Sequence, residues 1–287
     1  MHEKEKAPRR ASDGTTSAHH TSAASTTAPA YDRSQIARQL LDAERLCTPA
    51  AGVTPRYPSV GLDEAYEVQW TNIRARQDVG ARIVGHKVGL TSVAMREQMG
   101  VSEPDSGVLL EDMAILDGGV LRTGDLLVPR VETEFGFRLG HDLAGGEIDL
   151  ARARSAVSEI FLALEIIDSR FGAWDLTVID SIADNASSAR FVVGSPVSAP
   201  VRWDLRDTSV SLRIDGAERA QGVGGAVMGD PVRALVWLAH RLHRCGRRLH
   251  AGDLVLAGSV HASVALRPGQ HIEAWSPPWP PVGFRTV

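Results

Sequence analysis

The chain is poor in the residues that would point to several common functional classes. It has only two cysteines in 287 residues, Cys47 and Cys245. One is expected in a loop and the other near a helix end, so neither a disulfide framework nor a thiolate metal site can be built from them. No apolar stretch reaches the roughly 18 residues that a membrane-spanning helix needs. The N-terminus lacks the hydrophobic core of a secretory signal. There is no excess of basic charge either: the formal net charge is −4 and the pI is near 6.2, which leaves no electrostatic footprint for nucleic acid or an anionic membrane. The default expectation is a soluble, reducing, cytoplasmic setting and small polar partners.

What the chain does have is length and apolar content. With 43% hydrophobic side chains it can bury a substantial core, and one large chemistry-bearing domain with appendages is expected. Residues 1–32 are rich in Ser, Thr, Ala and charge and hold almost no large apolar side chain. Such a segment cannot bury enough surface to offset its ordering entropy, so it is expected to be a disordered tail. His19 and His20 within it read as polar filler.

Residues 33–80 are expected to form an N-terminal helical portion. Asp32 or Ser34 can cap a helix carrying Ile36, Leu40, Leu41 and Leu46, and a second helix begins near Asp63 with Ala65, Val68, Trp70 and Ile73. From residue 81 onward the chain is strand-rich. Ala81 to Leu90 reads as a strand ending in a glycine-bearing turn, with a short helix following to Met99. A further helix is expected over Leu150 to Phe161. Asp230 and Pro231 read as the cap and first turn of a helix closed by Gly246, which leads to a strand ending at Ser259. His240, His243 and Cys245 on that helix are not expected to bind metal. Strands and helices do not alternate regularly, so a mixed α+β architecture is expected over a doubly wound parallel sheet.

Two segments carry chemistry. In V-E-T-E-F-G-F-R-L (131–139), Val131, Thr133, Phe135, Phe137 and Leu139 take one parity and Glu132, Glu134 and Arg138 the other, the period-two signature of a strand. Glu132 and Glu134 then share a face, with Cβ atoms roughly 6–7 Å apart. Further along, Glu165 sits inside the apolar run F-L-A-L-E-I-I. Like charges held so close repel, and a carboxylate among leucine and isoleucine loses hydration, so both features call for a compensating cation. A plainer reading stays open for the pair alone, since E-x-E on the polar face of an antiparallel strand is commonly solvated surface. Glu165 is harder to read that way, because a glutamate is seldom buried without a partner. A divalent ion held by Glu132, Glu134 and Glu165 satisfies all three. Oxygen ligands favour Mg²⁺ or Mn²⁺ over zinc and leave positions for water and substrate.

The runs G-H-K-V-G-L-T-S (85–92), Q-M-G-V-S-E-P-D-S-G (98–107), P-R-V-E-T-E (129–134), A-L-E-I-I-D-S-R (163–170), A-D-N-A-S-S (183–188) and A-G-D-L-V-L-A-G-S (251–259) closely resemble the 2-hydroxypenta-2,4-dienoate (2-keto-4-pentenoate) hydratases. That group belongs to the fumarylacetoacetate hydrolase superfamily, and the likeness spans roughly residues 35 to 285 in unbroken order. The resemblance implies a mixed β-roll of the superfamily's C-terminal-domain type over residues 81–287, with the helical portion before it. It also implies homo-oligomeric assembly and a Mg²⁺ or Mn²⁺ site on Glu132, Glu134 and Glu165. Lys87 and Asp105 match residues of the family's K-V-G-L-T-S and P-D turns and are the implied catalytic pair. Leu90 in the first turn, Asp184, Asn185 and Ser187, and Ser259 at a strand end are implied substrate contacts. Two positions depart from the pattern: Ser106 stands where phenylalanine is usual, and Gly136 where alanine is usual.

The implied activity is hydration of a 2-hydroxydienoate, through its 2-oxo-3-enoate tautomer, to a 4-hydroxy-2-oxo acid, a step in meta-cleavage catabolism of aromatic or steroid compounds. A 4-oxalocrotonate decarboxylase and an acylpyruvate hydrolase of the same superfamily are the enzymatic alternatives. An inactive assembly partner of such an enzyme is the non-enzymatic one, which three intact carboxylates weigh against.

Overall fold

The structure is a computed structural model that describes residues 31–199, 203–277 and 279–287. Most of the expected tail, with His19 and His20, lies outside the described residues. Its last two residues belong to the fold: Asp32 caps the first helix by accepting from the N–H groups of Ser34 and Gln35, and Tyr31 donates its hydroxyl to the carbonyl of Glu64.

Three helices open the chain, Arg33–Leu46, Val53–Arg56 and Leu62–Asp78. Their apolar faces enclose a small core of Ile36, Leu40, Val53, Tyr57, Ala65 and Val68, which Ile182 and Ala183 from the short helix Val178–Ala183 complete. Asp180 of that helix accepts the Val53 and Thr54 N–H groups, so a cap made far along the chain pins the second helix.

The rest is built on two curled mixed sheets. The larger follows the order Asp105–Leu110, Ile83–Gly89, Leu254–Ser259, Arg130–Leu139, Val157–Ile167, Ser188–Val193 and Ala114–Ile115, with Val264–Ala265 and Val197–Ser198 pairing off that path. Ile83–Gly89 runs parallel to Leu254–Ser259, and its other neighbour is antiparallel. The smaller sheet holds Ala217–Val223, Ser209–Ile214, His271–Trp275, Val282–Thr286 and Gly119–Leu121. The helix Pro231–Arg244, capped by Asp230, buries Val232, Leu235, Leu238 and Leu242. The mixed α+β reading of the sequence describes this architecture.

One expected element is corrected. The helix begun at Leu150 ends at Ala156, and Val157–Ile167 is a long strand. Val157, Ile160 and Phe161 are β-branched or aromatic and favour the pleated surface. The ladder to Arg130–Leu139 recruits them, pairing Phe161 with Gly136 and Ile160 with Phe137. The same pair of strands explains the glycine at 136: a Cβ there would lie 1.9 Å from the Phe161 ring. Glycine at one position and phenylalanine opposite fill the same space that a smaller partner would leave to alanine.

The alternation read at 131–139 is present, but the strand is not half-solvated. Val131, Thr133, Phe135 and Phe137 are fully buried on one face, while Glu134 on the other is 1% exposed and Glu132 is half-buried. The carboxylate face is therefore an internal wall.

Candidate metal and active site

Register assembles the site. Arg130–Leu139 and Val157–Ile167 pair antiparallel with Glu132 directly opposite Glu165, a spacing at which cross-strand side chains touch. Glu134, two residues on, shares their face, and Ser259 of the neighbouring strand lies opposite it. One oxygen from each of the three glutamates falls within 4.8 Å of the others. Glu134 Oε2 accepts the Gly258 N–H at 2.7 Å, which fixes that side chain. Glu134 Oε1 and both oxygens of Glu165 are buried without a hydrogen-bond partner.

Lys87 and Asp105 arrive from the opposite side. Gly89 pairs with Asp105 across the antiparallel strands, and Lys87 is two residues back on the same face. A Cβ at Gly89 would stand 2.2 Å from Asp105 Oδ1 and 3.4 Å from Lys87 Nζ. The missing side chain is thus what lets the carboxylate lean over the strand towards the lysine. Lys87 Nζ is 3.5 Å from Glu165 Oε2, with both side chains buried. Asp105 Oδ2 accepts the Ser181 hydroxyl at 2.9 Å, while Oδ1 makes no hydrogen bond.

Four acids around one base set the electrostatics. Burial raises Glu132 to about 7, and the Glu165 charge adds to the rise while Lys87 opposes it. Glu134 is pushed well up for the same reasons, burial first and then Glu165 and Glu132. Asp105 is raised by burial against the opposing pull of Lys87. For Lys87, burial works against the charge, but Glu165, Asp105, Glu132 and Glu134 together outweigh it and hold the ammonium above its ordinary value. The lysine is therefore a fixed cation in this arrangement and not a neutral base. Unpaired carboxylate oxygens turned on one another are a cluster short of positive charge, and their number and hardness fit a divalent oxygen-seeking ion.

The structure brings Lys87, Asp105, Glu132, Glu134 and Glu165 together, with Ser259 next to them, although the Ser259 hydroxyl is engaged by the His261 carbonyl. Leu90 follows Gly89 directly and holds the left-handed conformation at φ 55°, a costly state for a leucine. The 184–187 segment has a different emphasis from the expected substrate contacts. Asp184 is buried against Arg170, accepting from its Nε at 2.5 Å and from its backbone N–H at 3.0 Å. Asn185 spends its amide on the backbone of Val108, at 2.8 and 2.9 Å. Ser187 is buried and bonds Asp168 through its carbonyl. Asn185, Ala186 and Ser187 are all left-handed. The side chains of Asp184 and Asn185 thus hold a strained turn against the Asp105–Leu110 strand instead of presenting free polar groups to a ligand.

Sequence reasoning missed Ser181, Gly89 and Gly258. Ser181 lies two residues ahead of the run 183–188, and Gly89 and Gly258 lie inside the runs 85–92 and 251–259, but nothing local says that a serine would meet Asp105 across 76 positions. His240 accepts the Ile148 N–H. Among the described residues only the three glutamates form a metal-competent group.

The model of the fumarylacetoacetate (FAA) hydrolase C-terminal family matches residues 90–282. A 2-keto-4-pentenoate hydratase of Paraburkholderia xenovorans (strain LB400) is 38% identical over 241 residues, covering 84% of this chain and 90% of the relative. A 4-oxalocrotonate decarboxylase of Pseudomonas sp. (strain CF600) is 35% identical over 220 residues, covering 77% and 83%. Among solved structures, 4-oxalocrotonate decarboxylase from Pseudomonas putida G7, complexed with magnesium and adipate, superposes with a TM-score of 0.86 at 32% identity, covering 89% of this chain and 97% of that one.

Proposed function

The chain belongs to the fumarylacetoacetate hydrolase family, and from that premise we propose that it is a divalent-metal-dependent hydro-lyase. It adds water to 2-hydroxypenta-2,4-dienoate, by way of the 2-oxo-3-enoate, to give 4-hydroxy-2-oxopentanoate. The observation that carries this reading is the set of orphaned oxygens on Glu134 and Glu165, buried beside Glu132 and within reach of a charged lysine. Extended likeness to a 2-keto-4-pentenoate hydratase supplies the reaction class.

Glu132, Glu134 and Glu165 would hold Mg²⁺ or Mn²⁺. A hard dication held there would supply Lewis acidity, stabilising negative charge that develops on the oxygen of a 2-oxo acid. The chain's own residues do the rest. Lys87 Nζ, held protonated, donates to the anionic end of the substrate and fixes its orientation. Asp105 has one oxygen tied to Ser181 and Oδ1 free, so Oδ1 is the atom on which a proton is carried. In the first step the substrate's 2-hydroxyl proton is lost and C5 gains a proton, leaving the 3,4 double bond conjugated with the ketone. In the second, water's oxygen bonds to C4 and a proton is delivered to C3, so one water is consumed and nothing leaves. Asp105, raised by burial, is suited to giving a proton in one step and taking one in the next. The same reading takes the enzyme to be a cytoplasmic homo-oligomer acting on a small-molecule substrate. No helix among the described residues is long and apolar enough to cross a membrane.

The test is turnover by the purified chain after exhaustive chelation and reloading with Mg²⁺ or Mn²⁺. Loss of the dienol chromophore with formation of 4-hydroxy-2-oxopentanoate is expected only when metal is restored. Metal-independent turnover ends the proposal, as does CO₂ release from 4-oxalocrotonate without hydration of the dienoate.

A further inference from the structure

A cavity of about 920 Å³ opens between the helix Leu62–Asp78, the loop 100–104 and the end of the helix Pro231–Arg244. Neither the three glutamates nor Lys87 nor Asp105 lines it. Its character is set by arginine. Three of its five are answered by acids of the same cleft: Arg33 by Glu67 at 3.0 Å, Arg241 by Asp63 at 3.6 Å and Arg244 by Glu103 at 3.2 Å. Arg74 and Arg247 have no ion-pair partner among the described residues. They also act on each other, since burial and then the Arg74 charge hold the Arg247 guanidinium below its ordinary value. Two unanswered guanidinium groups that repel across a concavity are a standing demand for negative charge.

The arginines are also held in place. Arg247 lies over the Trp70 ring at 3.4 Å and Arg241 over Tyr66 at 3.9 Å. Stacking fixes a guanidinium plane, so less freedom is lost when its N–H groups engage an oxyanion. Trp237 Nε1 and Arg241 Nε, both on residues of the cleft, are buried donors without an acceptor. One face of each of Tyr66 and Trp70 already carries a guanidinium group, which reduces the aromatic surface on which a nucleobase could stack. The cleft therefore selects by charge and donor geometry.

We propose that this cleft is a binding site for a small multivalent oxyanion, a dicarboxylate or a phosphate, held principally by Arg74 and Arg247 and separate from the metal site. The inference stands apart from the hydratase reading and does not need it. The cleft adjoins the catalytic turn, since the Tyr66 hydroxyl accepts the N–H of Ser106, the residue after Asp105, at 3.2 Å.

The experiment is a titration of the full-length, Mg²⁺-loaded protein with inorganic phosphate and, separately, with succinate, each matched for ionic strength with sodium chloride. Calorimetry and tryptophan fluorescence, to which Trp70 and Trp237 contribute, follow binding, and every titration is repeated after chelation. Saturable binding of either anion that survives chelation is expected, and the anion that binds identifies the chemistry. Loss of one charged bidentate contact in Arg247→Gln should weaken it roughly tenfold or more. Arg74 is exposed, so Arg74→Gln should do the same in a chain whose thermal unfolding is unchanged. Binding that vanishes with the metal belongs to the glutamate cluster and overturns the proposal. So does equal binding by Arg74→Gln, or no saturable binding of either anion by the wild type.

Discussion

The metal-free carboxylate cluster should make the protein less stable as pH rises, and removing one carboxyl should reverse that. Glu132 is raised to about 7 in the fold, against 4.5 for an ordinary glutamate. The folded chain therefore holds a proton between those values that the unfolded chain has released. For an acid raised in this way, the contribution to stability is complete below about 4.5 and is lost as pH climbs through about 7. At roughly 1.4 kcal/mol per pKa unit, the loss by pH 8 is at most about 3 kcal/mol, an upper bound because Glu132 is half-buried and keeps part of its hydration. Glu134 is shifted in the same direction and deepens the trend. Glu132→Gln keeps the shape and removes the charge. Chelated Glu132→Gln should be more stable than the chelated wild type at pH 8 by up to about 3 kcal/mol, and the gap should close near pH 5. Mg²⁺ should stabilise the wild type and not the variant. Urea unfolding followed by circular dichroism, with chelator or with Mg²⁺, reads all four states. If chelated Glu132→Gln is the less stable chain at pH 8, Glu132 is held favourably by Lys87 alone, and the argument that the cluster is short of positive charge fails.

Further expectations concern single side chains. Lys87→Met should lower kcat/KM by roughly a hundredfold or more while Mg²⁺ still raises the melting temperature; unchanged kcat/KM removes the lysine from the mechanism. Gly136→Ala drives a methyl group into the Phe161 ring and should cost about 1–3 kcal/mol in urea unfolding, recovered in part by Phe161→Leu; additive losses would show that the two do not share that space. Arg170→Met leaves Asp184 buried without its partner and should cost roughly 3–5 kcal/mol, and a neutral result would contradict the framework role given to that pair. His86 is buried and lowered to about 4 by burial and then by the Arg247 charge. A base depressed in the fold contributes fully above 6.5 and loses that contribution as pH falls towards 4. The wild type should therefore lose about 2–3 kcal/mol more than His86→Gln between pH 6.5 and 4.5, and parallel curves would refute it.

How much of this was legible in the sequence follows from the range of the interactions. The period-two pattern at 131–139 put Glu132 and Glu134 on one face because alternation is a property of the backbone itself. The apolar neighbours of Glu165 announced a carboxylate that needed a partner. Neither pattern states that Glu132 stands opposite Glu165, which is a matter of register between strands separated by a turn and a short helix. The helix drawn through to Phe161 failed at the same point. Its first turns, Leu150–Ala156, are helical by local preference, and Val157–Ile167 is a strand because a neighbour with complementary spacing was there to pair with it.

Asp184 and Asn185 show the limit of reading a role from a motif. The run A-D-N-A-S-S marked the segment, and the fold places it beside the site, yet the acid is taken by Arg170 and the amide by the Val108 backbone. Three successive left-handed residues are what those bonds secure. A turn so strained holds only when its surroundings over-determine it, and the Gly107–Asn185 contact, where a Cβ would meet the Asn185 carbonyl at 2.4 Å, puts that turn against the residue paired with Lys87. The polar residues of the motif thus reach the chemistry through the backbone they brace. For that reason Asp184→Asn should depress stability and turnover together, whereas Lys87→Met should depress turnover alone.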